Sequence, residues 1–445
     1  MNDRFLIIGG GIAGLTAAET IRQMLPEAEI TLACEEPDLP YTRPLLSKVY
    51  LKTLEKEKLY IHPASWYTKN QIRLLLNARA VSLDPAMRTV TLEDGIILSY
   101  DKLIYALGAA PFMPPYPYIP AGVFPVRTLA DIAGIHRYAA VAENAVVIGG
   151  GVIGLEMAWE LKQMGLSVTV LELAPRLLSR QLDSESAAVI TGLMKEQGVA
   201  VHTGVTIEGF LGDADGNVSG VCVRETGMLP AELVIMSAGV RPRKELAEAA
   251  GLSCGRGVRV DDELCSSDPC IYAAGDCVEG RFINPALWNY SEASGRIAAW
   301  NASGVFERKI FEPTGGDILL HSMGTALFST GCVNEGENNV VGHLSDGVAE
   351  DPLFRVNTMA GHKRHYEKRF YQDGRLAGAV LIGNLGRMQS IREEIANAKE
   401  TKEGSRMAPV SRASATKHCR REETKEETQR VTVNHAPESA IREEG

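Results

Sequence analysis

No apolar run in this sequence approaches the roughly 20 residues that a membrane-spanning helix needs, so a chain built on such helices is not expected. Aromatic residues are scarce, at 6%. Basic residues are outnumbered as well. With 46 Lys and Arg against 56 Asp and Glu the formal net charge is -10, and the broad cationic surface that neutralises a phosphate backbone is missing, so no nucleic-acid partner is expected. The amino-terminal apolar stretch, Phe5 to Ile8, is too short for a secretory signal and breaks at once into glycines, so a cytoplasmic location with no membrane partner is expected. A dense disulfide framework is also lacking: the cysteines, at 34, 222, 254, 265, 270, 277, 332 and 419, are scattered, as reduced thiols would be. One pair has a C-x4-C spacing known from redox-active disulfides. It lies in Cys265-Ser-Ser-Asp-Pro-Cys270, just before an expected strand, with no helix to lower a thiol pKa, so unpaired thiols on a turn are favoured over a dithiol relay. No metal site and no intact iron-sulfur or haem motif is present.

What is there is apolar material for several cores: 445 residues at 45% hydrophobic suggest two to four domains. The chain opens as strand, glycine turn, helix, strand, over Arg4 to Ile8, Gly9 to Gly14, Leu15 to Leu25 and Glu29 to Ala33. The same order returns at Ala145 to Ile148, Gly149 to Gly154, Leu155 to Met164 and Ser167 to Leu171, about 140 residues later (149 minus 9). Between them, Thr89 to Leu92, the turn Glu93-Asp94-Gly95 and Ile96 to Tyr100 read as a hairpin, and Lys102 to Ala106 as a buried strand. Pro111 to Pro120 is too rich in proline for helix or sheet and reads as an interdomain linker. Leu233 to Ser237 and Ile271 to Ala274 are short apolar strands, each followed by glycine. From about Gly316 the pattern turns β-rich, with Lys368 to Tyr371, a turn at Gln372-Asp373-Gly374 and Leu376 to Ile382, and this implies a third domain. Beyond about Ala396 the chain is Lys, Glu, Arg, Thr and Ser, which cannot bury enough apolar area to offset its ordering entropy. Disorder is expected there, with a solvated helix as the competing reading.

Gly9-x-Gly11-x-x-Gly14 follows a strand and opens a helix, the setting in which backbone amides approach a pyrophosphate. The dinucleotide reading needs an acid at the end of the next strand, and Glu35 and Glu36 both qualify, Glu35 being the better placed. Gly149-x-Gly151-x-x-Gly154 repeats the pattern, with Glu172 as its acid. A carboxylate there accepts from the ribose 2′-hydroxyl of NADH and repels the 2′-phosphate of NADPH, so NADH is the expected donor, although Arg176 and Arg180 stand close enough in sequence to pair with a phosphate.

Five further segments carry a resemblance: Pro40-Tyr-Thr-Arg43-Pro44-Leu-Leu-Ser47-Lys48, Tyr105-Ala-Leu-Gly-Ala-Ala-Pro-Phe112, Arg127-Thr-Leu-Ala-Asp131, Ser237-Ala-Gly-Val-Arg-Pro242 and Ile271-Tyr-Ala-Ala-Gly-Asp276. In this order they resemble the ferredoxin- and rubredoxin-reductase-like branch of the FAD-dependent pyridine nucleotide-disulfide oxidoreductases, including the flavin part of NADH nitrite reductases, over residues 1 to about 390. The resemblance implies an α/β architecture with two Rossmann-like domains and a C-terminal α+β interface domain. An FAD domain would occupy 1–110 and 240–315, an NAD(H) domain 111–239, the third domain 316–395 and the charged tail 396–445. It implies FAD on Gly9, Gly11 and Gly14, with Glu35 on the adenosine ribose, the Val81 backbone at the adenine, Arg43 and Arg127 at the diphosphate, Asp276 at the ribityl chain or diphosphate, and Trp288 against the flavin ring. NAD would lie on Gly149, Gly151, Gly154, Glu172 and Gly239. Lys48 would stand at the flavin N5 edge, paired with Glu156, since an ammonium there stabilises the negative charge that reduction adds.

One departure shapes the expected chemistry. Where thiol-bearing relatives carry a cysteine, this chain has Pro37-Asp-Leu-Pro-Tyr41, so electrons are expected to leave directly from the flavin. The expected reaction is hydride transfer from NADH to FAD, then one-electron delivery to an external acceptor, a small iron-sulfur protein such as rubredoxin or ferredoxin. An NADH oxidase using oxygen and a flavin-dependent redox sensor or scaffold are the alternatives, and a homodimer through the third domain is anticipated.

Overall fold

The computed structural model describes residues 3–313, 316–333, 339–343, 365–372 and 374–406. Residues Met1–Lys399 make one compact unit and Glu400–Gly445 a second, of which only the end of a helix, to Arg406, is described. The expected turn residue Asp373 and the tail beyond 406 lie outside the described residues.

Two five-stranded sheets organise the first unit, and every described pairing within them is parallel. The first has the order 271–273, 102–105, 4–8, 29–33, 72–75. Its central strand Arg4–Ile8 is buried from Phe5 onward, the near-continuous apolar run of a strand covered on both faces. The second runs 200–203, 167–172, 144–148, 233–236, 123–125, with Asn144–Ile148 in the central place. Between the sheets the chain passes twice, as Ala109–Pro111 and Val240–Pro242, which pair antiparallel. Pro111 thus ends a strand rather than opening the proline-rich linker.

In each half the glycine turn feeds a helix, Ile12–Met24 and Val152–Gln163. Both begin three residues before the expected starts at Leu15 and Leu155, because the last glycine of each motif, Gly14 and Gly154, already lies inside the helix. Helix Trp288–Ser303 packs closely on the first of them: a Cβ at Gly295 would stand 2.2 Å from the Ala13 carbonyl oxygen, so only glycine permits the approach.

The expected hairpin forms from Thr89–Leu92 and Ile97–Ser99, with Ala80–Asp84 as a third antiparallel strand. A five-stranded antiparallel sheet of order 318–322, 325–331, 375–382, 366–372, 339–343 follows, backed by the first turns, 388–395, of helix Met388–Arg406. That helix runs through the position where the charged tail is expected to begin, and Ile391 and Ile395 are its anchors in the core beneath the sheet.

One segment of the first half belongs to the core of the second. Tyr41, Leu46, Tyr50, Leu51 and Leu59 are buried among Leu129, Leu155, Ala158 and Leu161. A fully buried leucine contributes about 1.5–3 kcal/mol. Residues 41–59 are therefore held firmly along helix Val152–Gln163, and this packing sets the geometry described next.

Candidate functional site

The two glycine motifs build the same cradle. A Cβ at Gly9 would lie 2.1 Å from the Ala106 carbonyl oxygen and one at Gly14 2.0 Å from the Gly9 oxygen; at Gly149 and Gly154 the corresponding distances are 2.2 Å and 2.0 Å. These four glycines are fixed by backbone packing. The middle glycines differ: a Cβ at Gly11 or Gly151 would meet nothing within 4 Å. Each is the N-cap of its helix, with no side-chain cap and no acid in the first turn. The first N–H groups of each helix have no intrahelical partner, and with open space at the N-cap this suits a diphosphate. The residues present fit a dinucleotide at each motif.

Around the first cradle, charged side chains converge from distant segments. Arg127 donates to Asp276 at 3.0 Å, and Ser291 donates to the other Asp276 oxygen at 2.8 Å. A capping box aims Arg127: Thr128 caps helix Leu129–Ala139, and Asp131 accepts from the Thr128 and Arg127 amides at 2.8 and 3.1 Å. Arg43 donates to Glu36 at 2.6 Å, to the Tyr41 hydroxyl at 2.8 Å and to the Arg127 carbonyl at 2.6 Å. The expected acid Glu35 points elsewhere, to Arg243 and, at 3.6 Å, to Arg79. Val81 sits where the strand register shifts between Ala80 and Ser82 and is exposed, which leaves its backbone outside the regular ladder. Trp288 opens its helix, half-buried.

At the second cradle Glu172 ends its strand, and its carboxylate accepts from the Gly150 amide at 2.5 Å and the Ala174 amide at 2.7 Å. Two backbone bonds fix the acid beside the glycine turn. Arg176 is committed to its own loop, donating to the Leu182 and Ser179 carbonyls at 3.2 and 3.4 Å, while Arg180 is exposed. Gly239, with φ of +99° and open space at its Cβ position, stands just before the second crossing strand.

Lys48 and Glu156 meet at 3.0 Å. The lysine side chain is 33% exposed and the carboxylate 7%, so the pair has one wet and one dry end. Burial pushes the Glu156 carboxyl above the usual glutamate range, against the opposing pull of Lys48, Ser47 and His321. Lys48 does not lie on a regular helix: Leu46–Tyr50 is a π-turn, with the Leu51 amide donating to the Leu46 carbonyl five residues back. Sequence reasoning missed Ser47, which donates to Glu156 at 2.8 Å, although it is the residue beside Lys48 in the quoted motif. It also missed Tyr41, Ser291 and Arg243, whose partners only the fold reveals.

The cysteine pair is not joined. Cys265 is buried and its thiol turns to the Asp268 carbonyl at 3.7 Å; burial raises its pKa, the reverse of what a reactive thiolate needs. Among the described residues no cluster of metal-ligating side chains occurs, and no helix is long and apolar enough to cross a membrane.

Comparison with known proteins bears on this geometry. Residues 3–302 match the family "Pyridine nucleotide-disulphide oxidoreductase", and residues 318–399 match "Rubredoxin NAD+ reductase C-terminal domain". The NAD(P)H nitrite reductase of Bacillus subtilis is 30% identical over 93% of this chain and 50% of its own length, so the chain spans about half of that relative. The rubredoxin-NAD(+) reductase of Pseudomonas putida is 37% identical over 62% of this chain and 72% of its own. Among solved structures, the ferredoxin reductase for the CYP199A2 system of Rhodopseudomonas palustris is 29% identical, covers 86% of this chain and 91% of its own, and superposes with a TM-score of 0.76.

Proposed function

We propose the function of this chain from its family: it belongs to the pyridine nucleotide-disulphide oxidoreductases, which use FAD and NAD(P)H, and we read it as an NADH-dependent reductase of a small iron-sulfur protein. The single observation that carries the reading is the Lys48 and Glu156 pair, one residue from each nucleotide-binding half, held 3.0 Å apart where the halves pack together.

In this reading FAD, when bound, supplies the exchange between a two-electron hydride and one-electron delivery. The chain's own residues do the rest. The amides at Gly11 and the half-buried Arg43, Arg127 and Asp276 network would hold the diphosphate and ribityl chain, and Val81 and Trp288 would serve the adenine and the ring. Glu35, paired with Arg243, follows the strand Glu29–Ala33, and from that ion pair it would meet the adenosine ribose. Glu156 keeps the Lys48 ammonium in place, and that cation stabilises negative charge at the ring edge. Around the second cradle, Gly151, Glu172 and Gly239 hold NADH, and the carboxylate disfavours a 2′-phosphate.

Resemblance to the rubredoxin and ferredoxin reductases supports an iron-sulfur acceptor, and the missing thiol at Pro37 supports direct exit of electrons from the flavin. The domain division at 1–110 with 240–315, 111–239 and 316–395, a cytoplasmic location and a homodimer through the third domain are part of the same proposal.

Anaerobic stopped-flow mixing of the flavin-loaded protein with NADH and with NADPH, followed by rubredoxin, ferredoxin or oxygen, tests it. Bleaching by NADH and reoxidation by an iron-sulfur protein is expected. Reoxidation by oxygen alone would make the protein an oxidase, and a protein that takes up no flavin would end the proposal.

A further inference from the structure

Ser47 and Lys48 are neighbours in sequence, yet both side chains end on one carboxylate. Ser47 Oγ donates to Glu156 Oε2 at 2.8 Å, and Lys48 Nζ lies 3.0 Å from Glu156 Oε1. Consecutive residues of a regular α-helix point about 100° apart. The π-turn over Leu46–Tyr50 alters that spacing, and such turns recur at functional sites. Burial divides the two donors: Ser47 is 5% exposed and approaches the carboxylate from the interior, while Lys48 approaches from the wetter side.

We propose that Ser47 is a positioning residue for the Lys48 and Glu156 pair. Its hydroxyl fixes one carboxylate oxygen in the interior, so that the other faces the ammonium, and it helps keep the acid ionised. The proposal rests on the role given to Lys48 above.

The physical chemistry is that of a buried acid with few donors. A carboxylate out of water stays charged only while hydrogen bonds and cations compensate it. Glu156 has Lys48 from the segment 46–50 and His321 from the strand Ile318–Ser322 facing it, while Glu160, one turn along its own helix, is neutralised by Lys52 at 2.8 Å. Ser47 is the one fully interior donor among these. Without it, Glu156 takes up a proton at higher pH, and Lys48 then loses the charge that anchors it. The expected signature is a pH shift and not a uniform loss of rate.

The experiment follows flavin reduction by NADH against pH in the flavin-loaded wild type and in Ser47→Ala and Ser47→Thr. The protonated-carboxyl infrared band is recorded in parallel, with Glu156→Gln identifying it. The acidic limb and the infrared titration of Ser47→Ala should both move up by about one pH unit or more, since a hydrogen bond to a charged group is worth at least one unit. Ser47→Thr, which keeps the hydroxyl, should stay near the wild type. Overlaying curves for Ser47→Ala and wild type would overturn the proposal, and so would an equal shift in Ser47→Thr. Should Ser47→Ala not fold, Ser47→Cys, with a weaker donor of similar size, must show an intermediate shift. Absence of any flavin reduction in the wild type would instead count against the proposed function.

Discussion

The ammonium of Lys368 and the carboxylate of Asp183 are bonded in almost complete burial, at 4% and 0% side-chain exposure. Lys368 comes from the C-terminal sheet and Asp183 is the N-cap of helix Ser184–Glu196 in the second nucleotide-binding half; Glu185 adds a second acid at 2.7 Å. The contact ties the C-terminal sheet to the half that carries the second glycine motif. Removing one partner of a buried pair strands the other, at about 3–5 kcal/mol. Lys368→Met should therefore destabilise the protein by about that much in chemical denaturation. Adding Asp183→Asn should recover part of the loss, and an additive double variant would show that the pair is not coupled.

Acid lability follows from the same pair. Burial would raise the Asp183 carboxyl, but bonds from Lys368 and Ser186 outweigh it and hold the group below the ordinary aspartate range. With its folded pKa depressed, Asp183 contributes stability above the unfolded value, about 3.9, and loses it as pH falls through the lower folded value. The melting temperature of the wild type should fall over that window, and that of Asp183→Asn should fall less.

Glu156 has the opposite sign. Its folded pKa is raised, so it opposes folding at neutral pH and ceases to do so as pH drops to the unfolded value, about 4.3. Glu156→Gln should thus melt higher than wild type at pH 7, with the gap closing toward pH 4, while flavin reduction by NADH slows. Lys48→Ala should slow the same step by tenfold or more, about 1.4 kcal/mol of barrier, without releasing FAD. A variant that loses both rate and flavin would show that Lys48 acts in binding.

The glycine cradles separate folding from binding. Gly11→Ala and Gly151→Ala add a methyl into open space, so both proteins should fold, with each weakening one nucleotide by about tenfold or more. Gly14→Ala would drive a Cβ to 2.0 Å from the Gly9 carbonyl oxygen, so it should lose the fold of the loop itself. Spectroscopic titration with FAD, alongside thermal melting, distinguishes the two effects.

How much of this was legible from residue order depends on the range of each interaction. Arg4–Ile8 and Glu29–Ala33 match their expected limits because buried parallel strands read as apolar runs with glycine or charge at the ends. The two nucleotide-motif helices begin earlier than expected because glycine signals a turn, whereas Gly14 and Gly154 serve here as close-packing positions inside a helix. Arg43, Arg127 and Asp276 were locatable from motifs, and the structure brings them together. Arg243, which donates to Glu35, and Asp183, which accepts from Lys368, lie 208 and 185 residues from those partners, where no local pattern points. Ser47 was overlooked for the same reason of range: its bond to Glu156 spans 109 residues, and the π-turn that carries it has no signature in the local sequence.

Cofactor choice is the last consequence of the second cradle. Glu172 is fixed by the Gly150 and Ala174 amides; in the proposed reading it would meet the ribose 2′ substituent, and its charge would act there without reorganisation. Arg176, the nearer candidate for a phosphate, is drawn to its own loop by bonds to the Leu182 and Ser179 carbonyls, whereas Arg180 is exposed. Glu172→Ala should therefore reduce the NADH over NADPH ratio of kcat/KM by about tenfold, or 1.4 kcal/mol. Arg180→Ala should raise the ratio, and the double variant should bind both nucleotides weakly. Steady-state kinetics with each nucleotide measures all three. An unchanged ratio in Glu172→Ala would mean that discrimination does not lie in this charge.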